Sequence, residues 1–206
     1  MAVQRIDIRS AGVDRAGERC REVIRAGGII AFPTDTFYGL GADPRNREAV
    51  RRLFRIKGRP ADQPILILLP DADAAAEWAA RVGPDAARLM ERFWPGPLTI
   101  LFPANAEVLQ ELTAGSGKIG LRVPGSAVTR SLLRAVGTAL TGTSANRSGK
   151  PSPRTADEVI DGLGDTVDLV VDGGEAEATL PSTVVDVSGP EPVIIREGAV
   201  GSVLLR

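Results

Sequence analysis

The chain has 206 residues, 43% hydrophobic and 25% charged, which suits one soluble domain able to bury a core without disulfide or metal staples. A formal net charge of −1 is not that of a surface built as a whole to hold nucleic acid, and the absence of histidine removes imidazole acid–base chemistry, histidine metal sites and Ser-His-Asp triads together. No apolar run approaches the ~20 residues of a membrane helix, and the opening MAVQRIDIRSAG lacks the apolar segment of a secretion signal, so a cytoplasmic protein is expected.

Residues 5–8 read as an opening strand, and 12–26 as an amphipathic helix closed by Gly27-Gly28. Val13, Ala16, Cys20, Val23 and Ile24 share one face of that helix, so the sole cysteine is expected to be a core thiol. Residues 29–32 form a short apolar strand, 33–44 a loop rich in Gly, Asp and Thr, and 46–57 a helix capped by Asn46 and stopped by Gly58. A strand at 64–69, two short helices at 73–82 and 85–93, and a strand at 98–102 follow. A turn at 115–120 feeds strand 119–123, 126–136 is helical, 138–140 is a strand, and 141–153 is a polar loop. In helix 155–162, Thr155 and Glu158 have capping-box spacing. Strands at 167–171, 183–187 and 193–196 and a short tail helix complete the chain. The pattern predicts a single α/β domain over 1–206, with a twisted, mixed, partly parallel sheet flanked by helices.

Two glycine patterns mislead. GSGKIG at 115–120 fits the dinucleotide fingerprint but runs into LRVP, an extended segment blocked by Pro124, so it reads as a hairpin turn. GTALTGTS at 137–144 has the outline of a phosphate loop with Thr143 in place of the essential lysine. Its hydroxyls, with those of the TGTSANRSGKPSP stretch at 141–153, can still serve phosphate through O–H and backbone N–H groups.

A sharper signal lies in helix 46–57. Val50, Leu53, Phe54 and Lys57 follow i, i+3, i+4, i+7 spacing, so Lys57 continues the apolar stripe while Arg51, Arg52 and Arg55 lie off it. Either Lys57 snorkels at the helix C-terminus, or it and Arg59 project two cations toward an anion site. Arg122 in IGLRVP and Arg196 in PVIIREG are lone cations in apolar strands and need partners. Loops gather beyond strand ends in sheets of this class, and a ligand is expected there.

In order along the chain stand FPTDTFYGLGADP (32–44), KGRP (57–60), FWPGPLTI (93–100), LRVP (121–124), TSAN (143–146), SP (152–153), PSTVVD (181–186) and REG (196–198). This set resembles the YrdC family of L-threonylcarbamoyladenylate synthases over residues 12–200. The resemblance implies a YrdC-like sheet enclosing a large, positively lined cavity. It also implies a nucleotidyltransferase that makes threonylcarbamoyl-AMP and pyrophosphate from ATP, L-threonine and bicarbonate. A partner enzyme then carries the threonylcarbamoyl group to adenosine in tRNA. By position, the resemblance makes Lys57, Arg59, Ser144 and Asn146 catalytic. It puts those four with Gln63, Ser152 and Arg196 on ATP, and Thr34, Arg122 and Ser182 on threonine, Arg122 as a bidentate partner of the carboxylate. Magnesium is implied as the companion of ATP, with no metal site in the protein. Gln63-Pro64-Ile65 stands where many relatives have Asn-Pro-Leu, and Leu68 where many have His. Longer relatives add a C-terminal domain, and this chain, ending at Arg206, is expected to act without one in cis.

The chemistry suits a chain without histidine. The threonine amine becomes a carbamate and the carbamate oxygen attacks the α-phosphate, so the reacting groups all come from substrates. The protein must hold anions together and neutralise charge on the leaving pyrophosphate. Two alternatives stay open. Seven cations within residues 45–59 allow a double-stranded RNA or tRNA-binding module. A carbamoyl-adenylate former using carbamoyl phosphate would share the same motifs.

Overall fold

The computed structural model describes residues 3–176 and 180–202. Among the described residues ten strands form one mixed sheet. In chain order they are β1 (Gln4–Asp7), β2 (Ile30–Phe32), β3 (Gly39–Gly41), β4 (Leu66–Leu68), β5 (Leu98–Pro103), β6 (Lys118–Arg122), β7 (Leu140–Ser144), β8 (Leu169–Asp172), β9 (Thr183–Asp186) and β10 (Val193–Arg196). Their spatial order is β1-β8-β2-β3-β7-β4-β6-β5-β9-β10. β1/β8, β8/β2, β4/β6 and β5/β9 run parallel and the other neighbours antiparallel, which makes the sheet partly parallel as the sequence predicts. The helices are α1 (Ile8–Ala11), α2 (Val13–Arg25), α3 (Arg47–Lys57), α4 (Pro84–Phe93), α5 (Gln110–Thr113), α6 (Ala127–Val136) and α7 (Ala156–Leu163).

The predicted helix ends form for the predicted reasons. Asn46 Oδ1 accepts from Glu48 N and Ala49 N, both at 3.1 Å, and Gly58 closes α3 in the left-handed region at φ 56°. Thr155 Oγ1 accepts from Glu158 N at 3.2 Å, but Glu158 reaches back one residue further than a capping box, to Arg154 N at 2.6 Å. Cys20 is fully buried and burial pushes its thiol up to about 12.

Four readings change. β3 forms inside the expected loop 33–44, because two glycines mask a strand that pairs on both sides, with β2 and β7. β7 shares only Leu140 with the expected strand 138–140 and runs on through Ser144, since pairing with β3 and β4 outweighs the weak strand preference of Gly142 and Ser144. The expected helix 73–82 is only a 3-10 turn over Asp73–Glu77. There the chain is drawn off by an Ala79–Ala104 bridge and by Ala80 N donating to Pro103 O at 2.9 Å. The short helix α5 has no periodic signal to announce it. The expected tail helix falls largely on 203–206, outside the described residues.

One face of the sheet is covered along its length by a core that includes Leu53 of α3, Leu89 of α4 and Val159 of α7. On the other face α2 and α6 pack over β1, β8, β2 and the start of β7. These two helices approach closely at Gly17, where a Cβ would lie 2.3 Å from that of Ala135. Beyond them, over β4, β6, β5 and β9, that same face is left uncovered and forms a cavity.

Candidate active site

The cavity measures about 460 Å³. Strand alternation builds its floor: Leu66 and Leu68 on β4, Leu101 on β5, Gly120 on β6, Gly142 on β7 and Val184 on β9. Gly142 is needed there, because a Cβ would lie 2.5 Å from Leu66 Cδ1 and 2.7 Å from Leu68 Cγ. The cavity therefore lies on the sheet face and not only beyond strand ends, where the sequence led us to expect it. The 115–120 turn feeds β6, and 137–144 enters a strand with no phosphate-loop helix after it.

Of the ten residues singled out from sequence, eight line this cavity: Thr34, Arg59, Gln63, Arg122, Ser144, Ser152, Ser182 and Arg196. Lys57 and Asn146 do not. Lys57 is 2% exposed and its Nζ donates to Ser144 O at 2.5 Å, Asn146 O at 2.8 Å and Asn146 Oδ1 at 3.3 Å. Its three protons are thus directed at the 144–146 backbone and amide, and not at the cavity. Asn146 is committed likewise: Oδ1 accepts from Ser144 Oγ at 2.5 Å and Nδ2 donates to Lys150 O. In this structure both residues shape the wall that carries Ser144 and form no part of the wall itself. Burial pulls the Lys57 ammonium down to about 8, and repulsion from Arg59 adds to that.

Three arginines and no carboxylate line the cavity among the described residues. Arg59 donates to Gln63 O at 3.1 Å and Pro64 O at 2.8 Å. Arg196 donates to Ser182 O from Nε at 3.2 Å and Nη2 at 2.8 Å, and from Nη2 to Ser182 Oγ at 3.2 Å. A register shift in β10 between Ile194 and Arg196 lets both Ile195 and Arg196 face the cavity, which strict alternation would forbid. Arg122, 4% exposed, donates from Nε to Gly96 O at 3.0 Å and from Nη1 to Thr36 Oγ1 at 3.2 Å. Its Nη2 lies 2.7 Å from Asp35 Oδ1, but out of line, so both atoms lack a hydrogen bond. Burial holds all three guanidinium groups below their ordinary range. Arg196 repels Arg59, Arg122 repels Arg196, and only at Arg122 does a carboxylate, Asp35, oppose the trend. Such a cluster favours an anion between its members.

Sequence reasoning missed Thr36, which fixes Arg122, and Thr99, which pairs with Ser182. Thr99 carried a readable signal, as the one hydroxyl within the apolar run LTILF. The other cations of residues 45–59 are not a free stripe. Arg45 pairs with Glu77 at 2.7 Å, Arg47 and Arg51 with Glu111 at 2.8 and 3.2 Å, Arg52 with Asp168 at 2.6 Å and Arg55 with Glu48 at 2.9 Å. Five cations on four carboxylates leave little net charge and weigh against an RNA-binding face. No described helix is long and apolar enough to cross a membrane. Among the described residues no group of three or more Cys, Asp or Glu is placed to hold a metal ion.

A family model for Sua5, YciO and YrdC proteins, described as "Telomere recombination", matches residues 22–198. The threonylcarbamoyl-AMP synthase of Pyrococcus abyssi is 38% identical over 175 residues, which cover 85% of this chain and 52% of that protein. The synthase of Thiobacillus denitrificans is 39% identical over 165 residues, covering 80% of this chain and 87% of that protein. Among solved structures, Pyrococcus abyssi Sua5 complexed with L-threonine aligns with a TM-score of 0.91 at 34% identity, covering 97% of this chain and 58% of that one. The chain thus spans about half the length of the Pyrococcus protein.

Proposed function

The chain belongs to the Sua5/YciO/YrdC family, and on that footing we propose that it joins L-threonine, bicarbonate and ATP into L-threonylcarbamoyl-AMP, releasing pyrophosphate and water. The observation that carries this reading is the cavity wall: three arginines and a row of hydroxyls, with no carboxylate among the described residues. Such a wall suits a ligand set in which each member brings an anionic group, namely amino-acid carboxylate, bicarbonate and triphosphate.

The amine nitrogen of threonine attacks the bicarbonate carbon, a C–N bond forms, and water leaves. A carbamate oxygen then attacks the α-phosphorus of ATP while the bond to the bridging oxygen breaks and pyrophosphate departs. Both nucleophiles belong to substrates, so the protein's work is positioning and charge neutralisation. Arg122, fixed by Gly96 O and Thr36, takes the threonine carboxylate, with Thr34 and Ser182 beside it. Arg59, Arg196, Gln63, Ser144 and Ser152 serve the nucleotide, whose magnesium arrives with it as substrate. Lys57 and Asn146 hold the 144–150 loop that presents Ser144. The adenylate passes to an enzyme that modifies adenosine in tRNA, a setting that implies the cytoplasm.

The test follows pyrophosphate and the adenylate by mass. Product that requires threonine, bicarbonate and Mg·ATP supports the assignment. ATP binding without amino-acid-dependent turnover refutes it, and turnover with carbamoyl phosphate in place of threonine and bicarbonate would reassign the co-substrate.

A further inference from the structure

β5 places Thr99 on the cavity face beside Ser182, the residue before β9. Both are buried, at 2% and 4% exposure, and their hydroxyl oxygens lie 2.9 Å apart. Ser182 Oγ also accepts from Arg196 Nη2 at 3.2 Å, and Thr99 Oγ1 has no other hydrogen bond among the described residues. Each hydroxyl carries one proton. Two protons are therefore present and only one can lie between the oxygens. Whichever residue donates it, the second proton has no acceptor among the described residues. Both side chains line the cavity, so that proton is free for a polar group that enters it.

The pairing of β5 with β6 indicates which part of the ligand. Ile100 pairs with Leu121, and one step further along that register Thr99 comes opposite Arg122. Cβ atoms of opposite residues are ~5 Å apart. Arg122 Nη2 is ion-paired with Asp35 Oδ1 at 2.7 Å, out of line for a hydrogen bond, and the guanidinium lines the cavity. A free hydroxyl proton thus stands across the strand pair from a guanidinium that lines the cavity, a donor and a positive charge suited to one carboxylate.

We propose that Thr99 and Ser182 act as a single hydrogen-bonding unit whose free proton, together with Arg122, binds the carboxylate of the amino-acid substrate. Thr99 is the positioning member of the pair and fixes the direction in which that proton points. The inference rests on the reading that this cavity takes an amino acid.

Thr99→Val removes the hydroxyl at nearly constant shape, and Thr99→Ser keeps it. Steady-state kinetics, calorimetry with threonine alone, and Tm separate the possible roles. For Thr99→Val the expected result is a threonine KM and Kd raised about tenfold, the increment of about 1.4 kcal/mol. Its kcat and ATP KM stay within about twofold and its Tm is close to wild type. Thr99→Ser restores threonine affinity. The double variant Thr99→Val/Ser182→Ala binds threonine no more weakly than the weaker single variant. L-Threoninol, which lacks the carboxylate, binds wild type and Thr99→Val equally. An active wild type with an unmoved threonine KM in Thr99→Val overturns this inference and leaves the proposed reaction standing. So does a lowered Tm as the only change, strictly additive penalties, or a penalty equal for threoninol. A wild type that neither binds nor turns over threonine overturns the proposed reaction, and this assignment with it.

Discussion

Lys57→Met should separate activity from stability. Methionine keeps the buried stem and removes the ammonium that donates to Ser144 O and Asn146 O at 2.5 and 2.8 Å. Losing these two charged hydrogen bonds costs about 1.5–3 kcal/mol each. Against that, burial lowers the ammonium from 10.5 to about 8, and at 1.36 kcal/mol per pKa unit its removal returns about 3 kcal/mol. The net loss is then about 0–3 kcal/mol. At roughly 2–4 °C per kcal/mol for a chain of this size, the Tm should fall by no more than about 12 °C. Catalysis has no such offset. A displaced Ser144 wall should lower kcat/KM about 100-fold, the usual cost of an ångström-scale misplacement. Hydrogen exchange distinguishes this role from direct phosphate binding. Without any ligand, amides of residues 144–150 should exchange faster in Lys57→Met than in wild type. Unchanged exchange with a raised KM for ATP alone would return Lys57 to the phosphates, as the family resemblance implies. Activity within about tenfold of wild type would refute both roles.

The same ammonium gives a pH signature of opposite signs. As pH rises through about 8, Lys57 loses its proton. The neutral amine keeps two donors for three contacts, so activity should fall on that limb. The folded-state pKa lies below the unfolded 10.5, so between about 8 and 10.5 the unfolded chain binds more protons and stability should rise. Urea unfolding of wild type against Lys57→Met at pH 7.5 and 9.5 should show this increment in wild type only. Arg122→Lys cannot reproduce the fork to Gly96 O and Thr36 Oγ1, so threonine KM should rise by more than about tenfold with little change in Tm, and an unchanged KM would exclude Arg122 from the amino-acid site. Gly142→Ala places a methyl 2.5 Å from Leu66 Cδ1; overpacking of about 1–3 kcal/mol should lower Tm, and the narrowed floor should weaken ligand binding. With Arg45, Arg47, Arg51, Arg52 and Arg55 paired to acids, filter binding should find no RNA retention at 0.15 M salt, and tight retention would revive the RNA-binding reading.

What could be read in the sequence follows the range of the forces involved. Helix ends at Asn46, Gly58 and Thr155 were legible because caps are local. The place of Lys57 on the apolar stripe was legible from helical periodicity, but its buried ammonium matches neither the snorkelling nor the anion-site reading. β3 and the later residues of β7 were not, since Gly39–Gly41 and Thr-Gly-Thr-Ser owe their extended form to partners more than about a hundred residues away in the chain. The residues of the site were largely legible and their division of labour was not. Nothing within KGRP says that Lys57 turns inward to backbone oxygens while Arg59 faces the cavity; that is decided by how the 144–146 segment crosses the end of α3.

This division has a physical reason. A lysine placed on the cavity wall would add a fourth cation to three arginines that already repel one another. Placed behind the wall, its charge is met by carbonyl oxygens, and its field still reaches the cavity through a medium less polar than water. The wall it braces presents a hydroxyl, Ser144, which can accept or donate as phosphate charge shifts during transfer. In the proposed reaction arginines would hold the anions, hydroxyls would follow the moving charge, and the buried ammonium would keep the geometry fixed while the reacting groups change. A site organised in this way needs no titrating imidazole, which is how a chain without histidine can be suited to carbamate and adenylate chemistry.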